Sequence, residues 1–286
     1  MGPCELAVGG ELGGNGVVEL LGLNRPYRIQ AFPVGDASHV LAIARVRGNL
    51  YAVGDTKSTA QGFVVKATRA MHWTRVVAPR SIAVTAVTGG SRAVFIGVQR
   101  RELGRVNGEL WERGGSNWRM LLRIRGSAGV PASISEIQTV GNRLVVCGTD
   151  GVFGVDYSST DGGRTFSPGP RGDTTSITSC RFTPTGQIVL AGFNGTSSAV
   201  DRGFAAWRLR RHVWRTDRFP NSAVSERVLG PQRARILLIG PYGSTVIETR
   251  NAAKTWSVVR QISLDVLSTL LPGAYAAGRS LYALPK

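Results

Sequence analysis

The sequence lacks long apolar runs and has few of the residues that build metal sites or disulfide frameworks. Its apolar segments, such as Ile236 to Ile239, are short and strand-like, whereas a membrane helix needs roughly 20 apolar residues. Its three cysteines, Cys4, Cys147 and Cys180, include no Cys-x-x-Cys pair. An odd and sparse set of this kind predicts neither a zinc site nor a disulfide framework. Cys147 lies in an apolar run and is interpreted as a buried thiol.

Targeting signals and lysine are also scarce. The N-terminus, Met1 to Glu5, has neither the basic region nor the apolar region of a signal peptide. Together with the few cysteines, this favours a cytoplasmic protein, with export followed by removal of a leader as the alternative. Only four of the 35 basic residues are lysine, so the basic character of the chain comes from arginine.

Positive charge is what the sequence has in excess. Its 35 basic and 18 acidic residues give a net charge of +17 and a pI near 11.1. A field of this sign attracts acidic proteins, nucleic acids and anionic surfaces. The arginines are spread along the chain rather than gathered in one tail or helix. An acidic partner is therefore favoured, and nucleic acid is a less favoured alternative.

A short apolar strand that ends in glycine recurs along the chain. Successive copies are spaced 43 to 51 residues apart. A repeat of this length, with no helical periodicity between the copies, is typical of β-propeller blades. The glycines that end the strands are Gly9, Gly54, Gly97, Gly148, Gly192 and Gly240.

A second ladder of aromatic residues has the same period and opens the last strand of each repeat. With a strand before the glycine strand and one after it, each repeat has four antiparallel strands. We therefore predict an all-β protein, a single β-propeller domain over residues 1–286, with six blades. The sixth blade would be closed by pairing N-terminal with C-terminal strands, and seven blades are the alternative. The five complete blades are predicted at 38–77, 81–122, 132–168, 175–219 and 222–260, and the aromatics are Trp73, Trp118, Phe166, Trp214 and Trp256.

One hairpin carries a recognisable turn motif. Residues 159–166, Ser-Thr-Asp-Gly-Gly-Arg-Thr-Phe, fit the pattern Ser-x-Asp-x-Gly-x-Thr-Phe/Trp. This segment resembles the Asp-box, or BNR repeat, of sialidase-like propellers, and residues 249–256 look like a degenerate copy. The resemblance implies a structural role, in which Asp161 caps its own turn and glycine supplies the required dihedral angles. The residues that carry the pattern are Ser159, Asp161, Gly163, Thr165 and Phe166.

The resemblance implies the fold but leaves the function open, because such repeats occur in sialidases, other glycosidases, lectins and assembly factors. The segment Tyr27-Arg28-Ile29-Gln30 is similar to a sialidase motif whose arginine binds a substrate carboxylate, but it lacks the proline. The pattern of the whole chain also looks like the photosystem II assembly factor family, propellers with basic surfaces that chaperone protein partners.

The candidate binding site lies in the loops between the second and third strands of the blades, where propellers commonly bind ligands. Arginine there would pair with carboxylates or phosphates. The favoured function is a non-catalytic scaffold that binds an acidic protein, a peptide or a glycan. The alternatives are a sialidase-like glycosidase and a nucleic-acid-binding module, for which residues 207–215 interleave tryptophan with arginine. No catalytic residue, cofactor or metal ligand is predicted. The predicted binding residues are Arg100, Arg101, Arg105, Asp150, Asn194, Asp201 and Tyr242.

Overall fold

The secondary structure is all β. In the computed structural model, the described residues form 26 strands and no helix. Alternation of apolar and polar residues, dense in valine and isoleucine, favours strands over helices. The described residues are 5–12, 15–22, 29–33, 39–56, 60–67, 72–91, 93–127, 129–169, 176–194, 202–210, 213–219, 222–240, 243–262, 267–271, 274–277 and 280–283.

The chain divides into two compact units, and the first comprises residues 1–143 and 161–164. It contains a three-stranded sheet, β1–β3, and two four-stranded sheets, β4–β7 and β8–β11. A further strand of this unit, β12, is the first strand of the next sheet. The strands are β1 (Glu5–Leu12), β2 (Asn15–Gly22), β3 (Ile29–Pro33), β4 (His39–Val46), β5 (Asn49–Asp55), β6 (Gly62–Ala67), β7 (Trp73–Arg75), β8 (Ala83–Gly89), β9 (Val94–Glu102), β10 (Arg105–Arg113), β11 (Trp118–Ile124) and β12 (Ser133–Val140).

The second unit comprises residues 144–160 and 165–286. It contains the rest of the sheet β12–β15, the four-stranded sheets β16–β19 and β20–β23, and the three-stranded sheet β24–β26. Neighbouring strands are consecutive in sequence and antiparallel. The strands are β13 (Arg143–Thr149), β14 (Gly154–Ser159), β15 (Ser167–Pro168), β16 (Ser176–Phe182), β17 (Ile188–Asn194), β18 (Arg202–Arg210), β19 (Val213–Phe219), β20 (Ser222–Val228), β21 (Ala234–Gly240), β22 (Gly243–Thr249), β23 (Ser257–Ile262), β24 (Leu267–Leu271), β25 (Ala274–Ala277) and β26 (Ser280–Ala283).

The five predicted blades are confirmed as five four-stranded antiparallel sheets. The sheets cover 39–75, 83–124, 133–168, 176–219 and 222–262, close to the predicted ranges. The predicted aromatics open the outer strands, since β7 begins at Trp73 and β11 at Trp118.

The terminal strands depart from the predicted shared closing blade. Among the described residues, the first sheet comprises β1–β3 and the last comprises β24–β26, so each terminal segment forms a separate sheet, as the alternative of seven blades predicted. Each terminal segment carries three strands, and pairing them locally closes only short loops, which has a small entropic cost.

Close backbone approach explains the recurring glycine. At Gly54 and Gly192, a Cβ atom would overlap the backbone carbonyl of His39 and of Ser176 respectively, on the first strand of each sheet. That first strand carries a β-bulge opposite the glycine, between Val40 and Ala42 in one sheet and between Ile177 and Ser179 in the other. A bulge bends its strand toward the partner and leaves no room for a side chain there.

Apolar side chains fill the core of each unit. In the first unit, Val53, Val84 and Ile96 belong to one buried cluster of valine and isoleucine side chains from β4–β11. In the second unit, Val145, Ile177 and Leu190 belong to a comparable cluster. The outer strands are more exposed, as the pattern of β11 shows.

The interpretation of Cys147 as a buried thiol is corrected by the structure. Cys147 on β13 and Cys180 on β16 form a disulfide, with their Cα atoms 6.1 Å apart. Both residues are fully buried, as expected for Cys147. They are 33 residues apart and lie on different sheets, so only the packing of those sheets reveals the pair. The disulfide also removes one of the two grounds for favouring the cytoplasm. Cys4 lies outside the described residues.

Candidate functional site

The β9–β10 hairpin of the first unit carries three of the predicted binding arginines. These residues were expected in a loop from Gln99 to Glu109. Instead, the strands continue to Glu102 and resume at Arg105, and only a two-residue turn, Leu103-Gly104, joins them. Both turn residues have positive φ, 50° and 75°, which suits the right-handed twist of a hairpin. The predicted long loop is therefore wrong. The charged residues Arg100, Arg101, Glu102 and Arg105 belong to the two strands, which extend as far as the turn.

Strand register sorts the arginines of this hairpin between two faces. Arg100 is paired with Asn107, and Arg101 with Val106. Directly paired residues share a face of the sheet, and consecutive residues alternate. Arg100 therefore lies on the same face as Arg105 and Asn107, while Arg101 lies on the opposite face.

A buried carboxylate organises this face. Glu109 is fully buried, and its Oε2 accepts a hydrogen bond of 2.9 Å from Trp111 Nε1. Its Oε1 lies 2.8 Å from Nη2 of Arg123, which is paired with it on β11. Nη1 of Arg123 lies 2.9 Å from Glu102 Oε2. The two carboxylates thus hold Arg123 in place, because a buried carboxylate must be paired.

A cavity of about 400 Å³ opens beside Arg123. Asn107 Oδ1 accepts a hydrogen bond of 3.2 Å from the N–H of Gly126, which fixes the chain that follows β11. The cavity is lined by Glu102, Leu103, Arg105, Asn107, Arg123 and Arg125.

Three arginines around this cavity have no partner of their own. Arg105 and Arg125 line it, and Arg100 lies on the same face. Within the described part of the chain, none of the three makes a hydrogen bond or an ion pair. A guanidinium group offers five N–H donors in a planar fork that fits a carboxylate or a phosphate. The face is therefore suited to bind an anionic group. We name Arg100, Arg105 and Arg125 the arginine face.

An exposed leucine marks the edge of this cavity. Leu103 is 97% exposed at the tip of the hairpin. Its φ of 50° places it in the left-handed region, which is uncommon for a leucine. A strained and exposed apolar residue is a destabilising feature that suggests a binding role.

Two of the other predicted binding residues, Asp150 and Asn194, belong to the second unit. Asp150 caps its own turn: its Oδ1 accepts hydrogen bonds of 2.9 Å and 2.7 Å from the N–H groups of Val152 and Phe153. Asn194 ends β17 in the second unit. Asp201 and Tyr242 lie outside the described residues. Arg125 and Asn107 were not predicted from the sequence. Each lies two residues after an arginine, Arg123 or Arg105, and residues two apart in a strand share a face of the sheet.

The Asp-box-like segment forms the turn between β14 and β15. Asp161 Oδ1 accepts a hydrogen bond of 3.0 Å from the N–H of Arg164, and Gly162 and Gly163 have positive φ. Ser159 ends β14, while Thr165 and Phe166 precede β15.

The degenerate copy makes a similar turn. Asn251 Oδ1 accepts a hydrogen bond of 3.0 Å from the N–H of Thr255, and Ala252 and Ala253 take the positive φ of the two glycines. In each segment a side-chain oxygen accepts a hydrogen bond from a backbone N–H of the same turn.

A buried acid lies in the second unit, on β14. Asp156 is 3% exposed, and its Oδ1 has no hydrogen-bond partner. A methyl group at Gly169 would overlap its carboxyl group, so Gly169 makes room for it. Burial raises the pKa of Asp156 to about 7, and the charge of Arg208 opposes that rise. The carboxyl group is therefore partly protonated at neutral pH.

Several further features of the described residues bear on the other predictions. No group of three or more histidine, cysteine or acidic side chains there could hold a metal ion. No helix in that part of the chain is long and apolar enough to cross a bilayer. In the segment proposed for nucleic acid, Trp207 is fully buried and Arg208 lies over the ring of Trp214, at 5.9 Å from its centre. Arg28 of the sialidase-like motif lies outside the described residues.

Comparison with known proteins identifies the fold. No family model and no curated protein sequence matches the chain. Among solved structures, the β-propeller domain of the Trilobed protease from Pyrococcus furiosus has a TM-score of 0.56 at 6% identity, covering 94% of this chain and 85% of that one. YCF48 bound to D1 peptide has a TM-score of 0.60 at 10% identity, covering 100% and 98%. A polysaccharide lyase, PL25 ulvan lyase, has a TM-score of 0.61 at 10% identity, covering 99% and 91%. At these identities the likeness shows the fold, a β-propeller, and nothing more.

Proposed function

We propose that this β-propeller is a non-catalytic scaffold that binds an acidic peptide segment of a protein partner at the arginine face. The observation that carries the proposal is the set of three arginines without partners, Arg100, Arg105 and Arg125, around a cavity of about 400 Å³. Side-chain carboxylates of the partner would accept paired hydrogen bonds from these guanidinium groups. Arg123 is already held by Glu102 and Glu109, so it shapes the cavity and contributes less to binding.

Two further observations favour a peptide over an acidic glycan. Leu103 places an apolar side chain at the rim of a charged cavity, and apolar contacts beside charged ones are common in peptide recognition. One of the similar structures is YCF48 bound to D1 peptide, so this fold has been used to bind a peptide.

Replacing Arg105 or Arg125 with alanine should weaken binding of a glutamate-rich peptide at least tenfold. The reason is that each change removes a charge-assisted pair, which contributes about 1.5–3 kcal/mol. Binding of a fluorescein-labelled decapeptide that alternates glutamate and leucine can be measured by fluorescence anisotropy at low ionic strength. The same peptide with glutamine in place of glutamate should bind poorly.

Arg101→Ala is the matched control, because it removes the same charge from the same hairpin but on the opposite face. It should change the affinity less than threefold. An equal loss in Arg101→Ala and Arg105→Ala would mean that diffuse positive charge attracts the peptide, and the cavity would not be the site. A uronic-acid oligosaccharide or single-stranded DNA that binds better than the peptide would contradict the proposed partner class.

Leu103→Gly should make the protein more stable and the peptide complex weaker. Glycine adopts positive φ without the cost that leucine bears there, so the free energy of unfolding should rise by about 1 kcal/mol. Thermal unfolding measures the gain, and the anisotropy assay measures the loss of the apolar contact. Leu103→Asn should behave in the same direction, because asparagine also tolerates this conformation. A gain in stability with unchanged affinity would show that Leu103 does not contact the peptide.

A further inference from the structure

The connection from β7 to β8 contains more residues than a regular antiparallel pairing with β6 would need. The N–H of Val76, the residue after β7, donates a hydrogen bond of 2.9 Å to the carbonyl of Val64 on β6. In a regular register, Gly62 at the start of β6 would then face residue 78. Its N–H instead donates a hydrogen bond of 2.9 Å to the carbonyl of Ser81. The extra residues form a bulge, and bulges are over-represented next to active sites.

Residues 76–81, which we name the bulge segment, are fixed by contacts with other strands of the first unit. The side chain of Val76 belongs to the buried apolar cluster of β4–β11. Trp118 Nε1 on β11 donates a hydrogen bond of 2.6 Å to the carbonyl of Val77. Pro79 restricts the backbone further, because its ring fixes φ. The segment is therefore preformed, and a preformed site loses little conformational entropy on binding.

A cavity of about 460 Å³ is lined mainly by β6 and the bulge segment. Its volume lies in the range of small-molecule sites, about 300–1,000 Å³. One of its lining residues, Val77, is 85% exposed. Another, Ser81, has a buried Oγ for which the described residues supply no hydrogen-bond partner. The apolar lining residues are Phe63, Val64, Val76, Val77, Ala78 and Pro79.

Two arginines line this cavity, and no acidic residue of the described chain does. Arg75 ends β7, and Arg80 belongs to the bulge segment. Neither guanidinium group makes a hydrogen bond or an ion pair with a residue that the structure describes. Such a group can bind a carboxylate through paired N–H donors. The cavity therefore combines an apolar wall with two cationic donors.

We propose that this cavity binds a small organic anion with one carboxylate and an apolar body. The carboxylate would accept hydrogen bonds from Arg75 and Arg80, and the apolar body would lie against Val77 and Pro79. Inorganic phosphate fits less well, because it would leave the apolar wall unfilled. The carboxylate can belong to a free acid or to the C-terminal residue of a peptide. The cavity shares no lining residue with the one beside the arginine face.

Isothermal titration calorimetry with N-acetyl-leucine at low ionic strength tests this site, and one molecule should bind per chain. N-acetyl-leucinamide lacks the negative charge and acetate lacks the apolar body, so each should bind at least tenfold more weakly. The tripeptide N-acetyl-alanyl-alanyl-leucine should bind as tightly as N-acetyl-leucine if the site takes a peptide terminus, and tenfold more weakly if it takes a free acid. If N-acetyl-leucine does not bind, or if acetate binds equally well, the proposal is wrong.

Replacing both Arg75 and Arg80 with glutamine should weaken binding of N-acetyl-leucine at least tenfold. The matched control replaces Arg45 and Arg101 with glutamine, since both are exposed arginines of the first unit outside this cavity. It removes the same charge and should change the affinity less than twofold. Equal losses in the two variants would mean that diffuse positive charge attracts the acid, which would overturn the site.

Val77→Ser tests the apolar wall separately from the charge. Because Val77 is exposed, serine should leave the unfolding temperature unchanged. Binding of N-acetyl-leucine should weaken at least threefold, since an apolar contact is lost, while binding of acetate should not change. Unchanged affinity for N-acetyl-leucine would contradict its contact with the bulge segment.

The double variant of Arg75 and Arg80 also separates this proposal from the peptide-binding function. It should bind the glutamate-rich peptide, prepared with an amidated C-terminus, with unchanged affinity, since the arginine face is intact. N-acetyl-leucine should not displace that peptide. Failure of N-acetyl-leucine binding with normal peptide binding would overturn only this cavity, and displacement of the peptide would contradict two separate sites.

Discussion

Replacing Glu248 with glutamine should lower the free energy of unfolding by about 3–5 kcal/mol, the usual cost of breaking a buried ion pair. Glu248 is 2% exposed and accepts hydrogen bonds from three arginines, of which Arg235 is itself buried. Glutamine would leave that cluster with no negative charge and would place an amide N–H₂ among cationic donors. Urea denaturation at pH 7, followed by tryptophan fluorescence, measures the loss.

Glu112→Gln is the matched control for this prediction. Glu112 lies 2.6 Å from Arg119, but that arginine side chain is 64% exposed. Exposed ion pairs contribute about 0–1 kcal/mol, so this variant should be nearly as stable as the unchanged protein. A similar loss in both variants would show that the buried cluster of Glu248 has no special role in stability.

The Glu248 cluster also predicts a dependence on pH. Hydrogen bonds from its arginines outweigh the effect of burial and lower the pKa of Glu248 to about 2, from an ordinary value of 4.5. A carboxylate with a lowered pKa stabilises the folded state fully above the ordinary value, and this stabilisation is lost as the pH falls toward the folded value. The difference in stability between the unchanged protein and Glu248→Gln should therefore shrink between pH 4.5 and pH 2.

Asp156→Asn should have the opposite effect and stabilise the protein at alkaline pH. Burial raises the pKa of Asp156 from 3.8 to about 7. Folding therefore favours the protonated acid, and the cost of an ionised Asp156 is absent below pH 3.8, grows up to pH 7 and is complete above it. A shift of this size corresponds to roughly 3–4 kcal/mol. Asparagine has a similar shape and no charge, so it removes this cost.

The informative measurement is the change in unfolding free energy for Asp156→Asn at pH 4 and at pH 8. The variant should gain about 3–4 kcal/mol relative to the unchanged protein between the two pH values. Comparing two pH values cancels any constant effect of the new amide group. Asp150→Asn, which alters a carboxylate in a surface turn, should show a difference below about 1 kcal/mol. A pH-independent effect of Asp156→Asn would mean that Asp156 is ionised at no cost in the folded protein.

The repeat allowed most of the fold to be predicted. Trp73 and Trp118 mark the first residues of β7 and β11, because an aromatic that packs at the start of an outer strand recurs in each repeat. The recurring glycine also predicted the second strand of each sheet, but the sequence does not show why glycine is needed there. The bulge that faces Gly54 lies on another strand, and a bulge depends on how two strands pair.

The candidate site could be predicted only in part. Arg100, Arg101 and Arg105 were all predicted as binding residues, but Arg101 lies on the opposite face of the hairpin, and the sequence alone does not show strand register. Arg125 was missed because it follows a different strand and joins the cavity only when β10 and β11 pair.

The sequence by itself determined the all-β character and the grouping of strands in fours in the five central sheets, because alternation and repeat spacing are properties of consecutive residues. Only the tertiary structure decided that Cys147 bonds to Cys180, that Glu109 holds Arg123, and that Arg227 is paired with Arg235 on the neighbouring strand. Each of these pairs joins residues from different strands. Their meeting depends on register and on the packing of sheets, which no local pattern in the chain encodes.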